Sequence, residues 1–112
     1  MCALLFEECD LSGRDLSGVE FRGCVFRRCS FSGADLSGAG FVDAELDHCD
    51  FSSCNMENTV FMRSRFQGCR MTGAGLVHGV LRDVRMEGCK ADLMNLSACK
   101  LNSVCFGNTV LQ

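Results

Sequence analysis

The chain has 112 residues, 47% of them hydrophobic and 22% charged, which is enough for one small folded domain. Its formal charge is −3 and its pI about 5.2, so general attraction to nucleic acid or to an anionic membrane is not expected. No apolar run approaches the roughly 20 residues of a membrane span, and ten cysteines pose a choice between a disulfide framework, a metal site and buried thiols.

The opening stretch, MCALLFEECD, is apolar for only six residues and then acidic. It is too short for a signal peptide and lacks a basic n-region, so a cytoplasmic location is expected. From Phe6 onward a period of five takes over. All nine phenylalanines (6, 21, 26, 31, 41, 51, 61, 66 and 106) share one phase of that count, a coincidence of about one in several hundred thousand for independent placement. The 22 positions of this phase, called i, hold nine Phe, nine Leu, three Met and Ala91. Position i−2 holds eight of the ten Cys, four Ala and three Val, and the other three positions are mostly polar. A period of five fits neither a helix nor a long alternating strand. It fits a short strand in which i−2 and i point inward, followed by a corner. Ser-Gly pairs such as Ser12-Gly13 and Ser17-Gly18 supply turn-tolerant corners. Units this short must stack on one another to bury an apolar face, which makes a solenoid.

In the first repeats, Arg14 occupies an i−2 position, a charge facing inward that must snorkel toward an open coil end. The next stretch, CVFRRCSF (24–31), places two cysteines five apart. They belong to different walls. Cys29 falls in a run with Cys9, Cys49, Cys69 and Cys89 at steps of 20, which sets a coil of four repeats. The outward Arg27 and Arg28 between them interrupt an otherwise acidic surface. Twenty-two repeats then give about 5.5 coils, a rod roughly 26 Å long at about 4.8 Å per rung. One domain over 1–112, without linker or insertion, is expected. Further along, CKADLMNL (89–96) leaves a gap at Ala91, sets a large Met94 at the following i−2, and carries a competing ADL frame that admits a local bulge. The last coil offers Cys105, Phe106, Val110 and Leu111 as a self-association surface, joining either two like ends as a homodimer or opposite ends in a row.

These positions decide the cysteine question. Zinc needs four ligands converging on one point, whereas the i−2 thiols are spread along the rod among Phe and Leu. His48 and His78 both sit at i+2 and face outward. No metal and no cofactor is expected. Thiols stacked in parallel are misdirected for disulfides, so reduced thiols are expected, with Cys2 and Cys105 the reactive pair outside i−2. No base accompanies a nucleophile, no glycine-rich phosphate loop precedes a helix, and a regular rod has no deep pocket, so the chain is not expected to be an enzyme.

Charge is distributed unevenly. Residues 1–58 carry eleven acids and four bases, net −7, while residues 59–112 carry three acids and seven bases, net +4. The wall built on Leu16, Leu36, Met56, Leu76 and Leu96 presents Asp15, Asp35 and Glu57 with no outward base. Together with Asp10, Asp50, Glu45 and Asp47 these are the candidate partner-binding acids. About 14 Å of B-DNA holds about eight charges, so the acidic half approaches duplex charge density. A plain solvated face is the competing reading.

The repeat, and ADLSG at 34–38 in particular, resembles the A(D/N)LXX pattern of the pentapeptide-repeat family over essentially all of 4–112. That resemblance implies an all-β, right-handed quadrilateral parallel β-helix. FEECDLSGRDLSGVEFRGCVFRRCSFSGADL (6–36) is similar to the opening coils of Qnr-type quinolone-resistance proteins. This implies a protein that mimics DNA, binds DNA gyrase and topoisomerase IV as a protein partner, and contacts no nucleic acid or membrane itself. The chain departs from that branch in lacking loop insertions, a C-terminal capping or dimer segment and a uniformly acidic surface. A structural scaffold module displaying an interaction face is the alternative.

Overall fold

The computed structural model describes residues 4–109. Their regular elements are β1 (Leu5–Glu7), β2 (Glu20–Arg22), β3 (Val25–Arg27), β4 (Gly40–Val42), β5 (Glu45–Asp47), β6 (Val60–Met62), β7 (Arg65–Gln67), β8 (Val80–Glu87) and β9 (Lys100–Gly107). Every pairing is parallel and advances by 20 residues: Phe6 pairs with Phe26, Phe21 with Phe41, Phe66 with Met86. Isolated bridges carry the same step up the two remaining sides, through Asp10, Ser30, Asp50, Arg70 and Lys90, and through Asp15, Asp35, Asn55, Gly75 and Asn95. The result is a four-sided parallel β-solenoid of about five turns, 30 × 22 × 20 Å across. We number its walls by their first inward residue: wall 1 from Phe6, wall 2 from Leu11, wall 3 from Leu16 and wall 4 from Phe21.

The inward positions form one continuous core from Phe21 to Ala91, with Phe26, Phe31, Phe41, Phe51, Phe61 and Phe66 among its fully buried members. Equivalent phenylalanines in successive coils stack at the rung spacing: Phe31 on Phe51 at 4.8 Å, and Phe21, Phe41 and Phe61 at 4.9 Å each. Around the corners they meet edge to face, as Phe26 does Phe31 at 5.3 Å. Position i−2 is small because it lies beside the bend. At Gly79 there is no room for any side chain, since a Cβ would approach Leu76 Cγ to 2.8 Å and its carbonyl oxygen to 3.0 Å.

Every fifth residue from 8 to 108, the i+2 corner, has a positive φ, between 47° and 70°. Eight of these 21 corners are glycine and thirteen are not, so the coil imposes the left-handed conformation even on side chains that disfavour it. Walls 2 and 3 close their corners by i→i+3 turns, such as Ala34 N to Phe31 O at 2.9 Å and Ala39 N to Leu36 O at 3.0 Å. Walls 1 and 4 carry the strands.

Two expectations are settled here. Arg14 is exposed, next to a half-buried Leu11 and Leu16 in the first coil, so its charge reaches water. The bulge admitted near Ala91 does not occur: Arg70–Lys90 and Gly75–Asn95 hold the 20-residue register on both sides. Ala91 stays buried, Met94 packs against the core, and Asp92 accepts a 3.0 Å hydrogen bond from Thr72 Oγ1. The second ADL frame loses because adopting it would turn Leu93, now at an exposed corner, into a core residue and break a register that every rung below enforces.

Candidate partner-binding surface

All nine cysteines among the described residues are free thiols, and six of them are buried. Their role is structural. The i−2 side chain donates to the main-chain carbonyl of the coil below, 23 residues earlier. Cys69 Sγ reaches Leu46 O at 3.1 Å, Cys29 Sγ reaches Phe6 O at 3.3 Å, and Cys54 Sγ reaches Phe31 O. Thr59 and Ser64 make the same bond from the same position, to Leu36 O at 2.7 Å and Phe41 O at 3.2 Å. Position i−2 therefore takes a small side chain, and where that side chain can donate it adds a bond to the coil below, cysteine being the most apolar that does so. Burial pushes the Cys29 thiol up to about 11 and the Cys54 thiol up to about 12. Hydrogen bonding to the neighbouring Cys49 and Cys89 thiols, together with burial, also raises Cys69. Such thiols are poor nucleophiles and poor ligands at neutral pH. Cys105 is exposed, while Cys2 lies outside the described residues. Among the described residues no three His, Cys, Asp or Glu side chains converge as a metal site.

The seven candidate acids divide between two regions. Asp10 and Asp50 stand on wall 2, and Asp15, Asp35 and Glu57 on wall 3. Asp15 and Asp35 are direct neighbours in successive rungs, but the column continues as Asn55, Gly75 and Asn95. Glu57 lies two residues beyond Asn55. Glu45 and Asp47 belong to wall 1, where Arg27 lies one rung below Asp47 and Arg65 one rung above Glu45. Arg27 also follows Glu7 in the same column. Arg27 and Arg28 thus compensate the acids of wall 1, and do not interrupt walls 2 and 3. In the first three coils, walls 2 and 3 present five acids with Arg14 as the sole base, so most of the −7 of residues 1–58 gathers along one corner as a net −4.

The aspartates of that corner also have a local task. Asp15 Oδ1 accepts from Ser17 N at 3.0 Å and Ser17 Oγ at 2.6 Å, and Asp35 repeats this with Ser37 at 3.0 and 2.7 Å. Asp10 and Asp50 accept from Ser12 N at 3.0 Å and Ser52 N at 2.9 Å. These Asx-turns fix the residues entering each corner. The Ser12 and Ser17 hydrogen bonds hold the Asp10 and Asp15 carboxyls below their ordinary value, so both are ionised at neutral pH. Asp-x-Ser, at 10–12, 15–17, 35–37 and 50–52, is the sequence signal for this turn.

Surface hollows are open. One of about 230 Å³ is lined by Glu7, Glu8, Arg27, Arg28 and Asp47, and one of about 290 Å³ lies over Gly40 on wall 4. The self-association candidates lie in the last coil, where Cys105 is exposed and Phe106 half-buried. Val110 and Leu111 lie outside the described residues.

A packed interior with its charges on the outer walls defines a repeat protein of the parallel β-solenoid class. The family model for the pentapeptide repeat region matches residues 4–64 and 59–112, and the chain belongs to that family. No curated protein matches the sequence. Among solved structures, the pentapeptide repeat protein Rfr23 from the cyanobacterium Cyanothece 51142 superposes with a TM-score of 0.93 at 17% identity, covering 99% of this chain and 90% of that one. A pentapeptide repeat protein of the Arabidopsis thaliana thylakoid lumen gives 0.79 at 25% identity, over 82% of this chain and 64% of that one. A trypsin-treated form of QnrB1, a plasmid-mediated fluoroquinolone resistance protein, gives 0.74 at 23% identity, over 100% of this chain and 65% of that one. The chain thus spans just under two thirds of the last two.

Proposed function

We propose that the chain is a non-enzymatic, cytoplasmic protein-binding solenoid and a partial DNA mimic. Its acidic corner docks on the DNA-binding surface of a type II topoisomerase, DNA gyrase or topoisomerase IV, and so alters quinolone susceptibility. The observation that carries this reading is the corner of walls 2 and 3, where Asp10, Asp15, Asp35, Asp50 and Glu57 stand on two adjoining walls within three coils. Its net −4 extends over about 14 Å, roughly half the charge of the same length of duplex. The backbone shared with a fluoroquinolone resistance protein is consistent with it. The Asx-turns favour a second reading, a scaffold module with a partner of another kind, because they account for four of the five acids without any partner.

Asparagine separates the two readings, because it caps a turn as Asn55 and Asn95 already do here, with 3.1 and 2.9 Å bonds, yet carries no charge. In a gyrase supercoiling assay with and without a quinolone, the wild-type chain should inhibit or protect. The triple variant Asp15→Asn, Asp35→Asn, Glu57→Gln should fold normally and lose at least tenfold in potency. A wild-type chain with no effect, or a triple variant as potent as wild type, rejects the mimic.

A further inference from the structure

Wall 4 differs from the other three in its outward residues. The column at the start of its strands reads Glu20, Gly40, Val60, Val80, Lys100, and the column at their ends reads Arg22, Val42, Met62, Arg82, Asn102. Gly40, Val42, Val60, Met62 and Val80 form an apolar band across β4, β6 and β8, half-buried by their neighbours and open to solvent on the outer side. Glu20 and Arg22 bound the band at one end and Lys100 at the other, while Arg82 closes its second column level with Val80, opposite Val42 in the pairing below. At Gly40 the missing side chain leaves a hollow of about 290 Å³, walled by Glu20, Gly38, Val42 and Val60.

We propose that wall 4 pairs face to face with wall 4 of a second copy, with the two rods antiparallel. The first column is self-complementary about its own centre. A two-fold axis running along β6 places Val60 on Val60 and Met62 on Met62, sets Val80 of each copy over the Gly40 hollow of the other, and brings Glu20 to Lys100. Three features of the molecule agree on this axis. Steric fit favours it, since Gly40 and Val80 are the recess and the projection of one column, two rungs apart. End charges favour it, with Glu20, which also pairs with Arg22 of its own strand, and Lys100 the same distance from Val60 on either side. The whole-molecule charge favours it too, because the change from net −7 to net +4 falls between residues 58 and 59, at the rung of Val60. An antiparallel pair therefore sets the acidic half of each copy against the basic half of the other, whereas the parallel two-fold sets like against like and puts Gly40 on Val42. The closed isologous contact cannot run on into a fibre. It leaves wall 2 fully open and does not depend on the acidic corner's partner. One wall buries roughly 400 Å² per copy, about half of what a stable dimer uses, so the pair is reversible.

Sedimentation of the full chain over a concentration series tests this. Wild type should pass from monomer to dimer with rising concentration, and less so at high salt. Gly40→Val is the decisive variant. A Cβ at Gly40 meets nothing closer than Glu20 Cγ at 3.6 Å, and valine suits a strand, so the fold should hold or gain while the filled hollow weakens the dimer at least tenfold. Glu20→Lys and Lys100→Glu should each weaken it severalfold, and the double variant should recover most of the loss. A chain that stays monomeric at all concentrations overturns the proposal. So does a dimer that ignores Gly40→Val but dissociates on Phe106→Ala, which would be end-to-end joining.

Discussion

At each corner the coil fixes the backbone conformation and the side chain has to accept it. All 21 corners from 8 to 108 are left-handed, whatever the residue. For an L-residue that conformation costs on the order of 1–2 kcal/mol, less for Asn and Asp, which bond locally. Leu93 is the extreme case, with a φ of 59° and 73% of its surface exposed, so no burial offsets the strain. Leu93→Gly should therefore stabilise the protein. Glycine returns part of the gain through its freer unfolded chain, leaving about 0.5–1 kcal/mol. Urea unfolding should show a higher midpoint at unchanged slope. A lower midpoint would mean that the leucine makes an apolar contact worth more than the strain. At this scale the sequence was clear about which residues turn inward and silent about why. Thr and Ser replace Cys at some i−2 positions because each can donate to a carbonyl 23 residues back, and that partner is visible only once the coil is closed.

At the scale of the element, the unit of stability is the stack. Phe41 lies between Phe21 and Phe61 at 4.9 Å on either side, with the edge of Phe26 at 6.0 Å. The same column is held by leucine at Leu81, and the matching inward position of wall 1 by Leu46, both buried to 1% or less. Phe41→Leu should therefore cost about 1–1.5 kcal/mol, the price of a smaller side chain in a site that accepts it. Phe41→Ala opens a cavity between two rings and should cost about 3–5 kcal/mol. Denaturant unfolding of the two variants checks both size and order. Equal losses would show that the rings, and not the filled volume, hold the stack. Coil length was legible because Cys9, Cys29, Cys49, Cys69 and Cys89 recur once per turn. The difference between walls was not. Walls 2 and 3 turn through Asp-x-Ser-Gly, while walls 1 and 4 pair as strands, and a five-residue consensus averages over that distinction. The grouping of acids suffered in the same way: Glu45 and Asp47 join Asp15 and Asp35 in a count of charge, yet stand on another wall beside Arg27 and Arg65.

For the whole molecule, the core is one column of thiols and rings, and its response to pH is set there. Cys29 and Cys54 ionise near 11 and 12 in the folded chain, against an ordinary value of 9.0, chiefly because burial penalises the thiolate. A raised value means that the folded state holds its protons longer than the unfolded state does. The stability this contributes is complete below about pH 9, and it is lost as pH rises from there through 11 and 12, where the unfolded chain has already ionised. The part of the stability that Cys29 and Cys54 contribute should stay level to about pH 9 and then fall, and the melting temperature should fall with it above that point. Cys29→Ala and Cys54→Ala remove the ionising group and should each flatten the fall, even though they lower the melting temperature at pH 7 by emptying part of a packed site and deleting a bond to the coil below. That opposite movement distinguishes thiol ionisation from simple core damage. A slope above pH 9 that is unchanged in both variants would place the alkaline response elsewhere in the molecule.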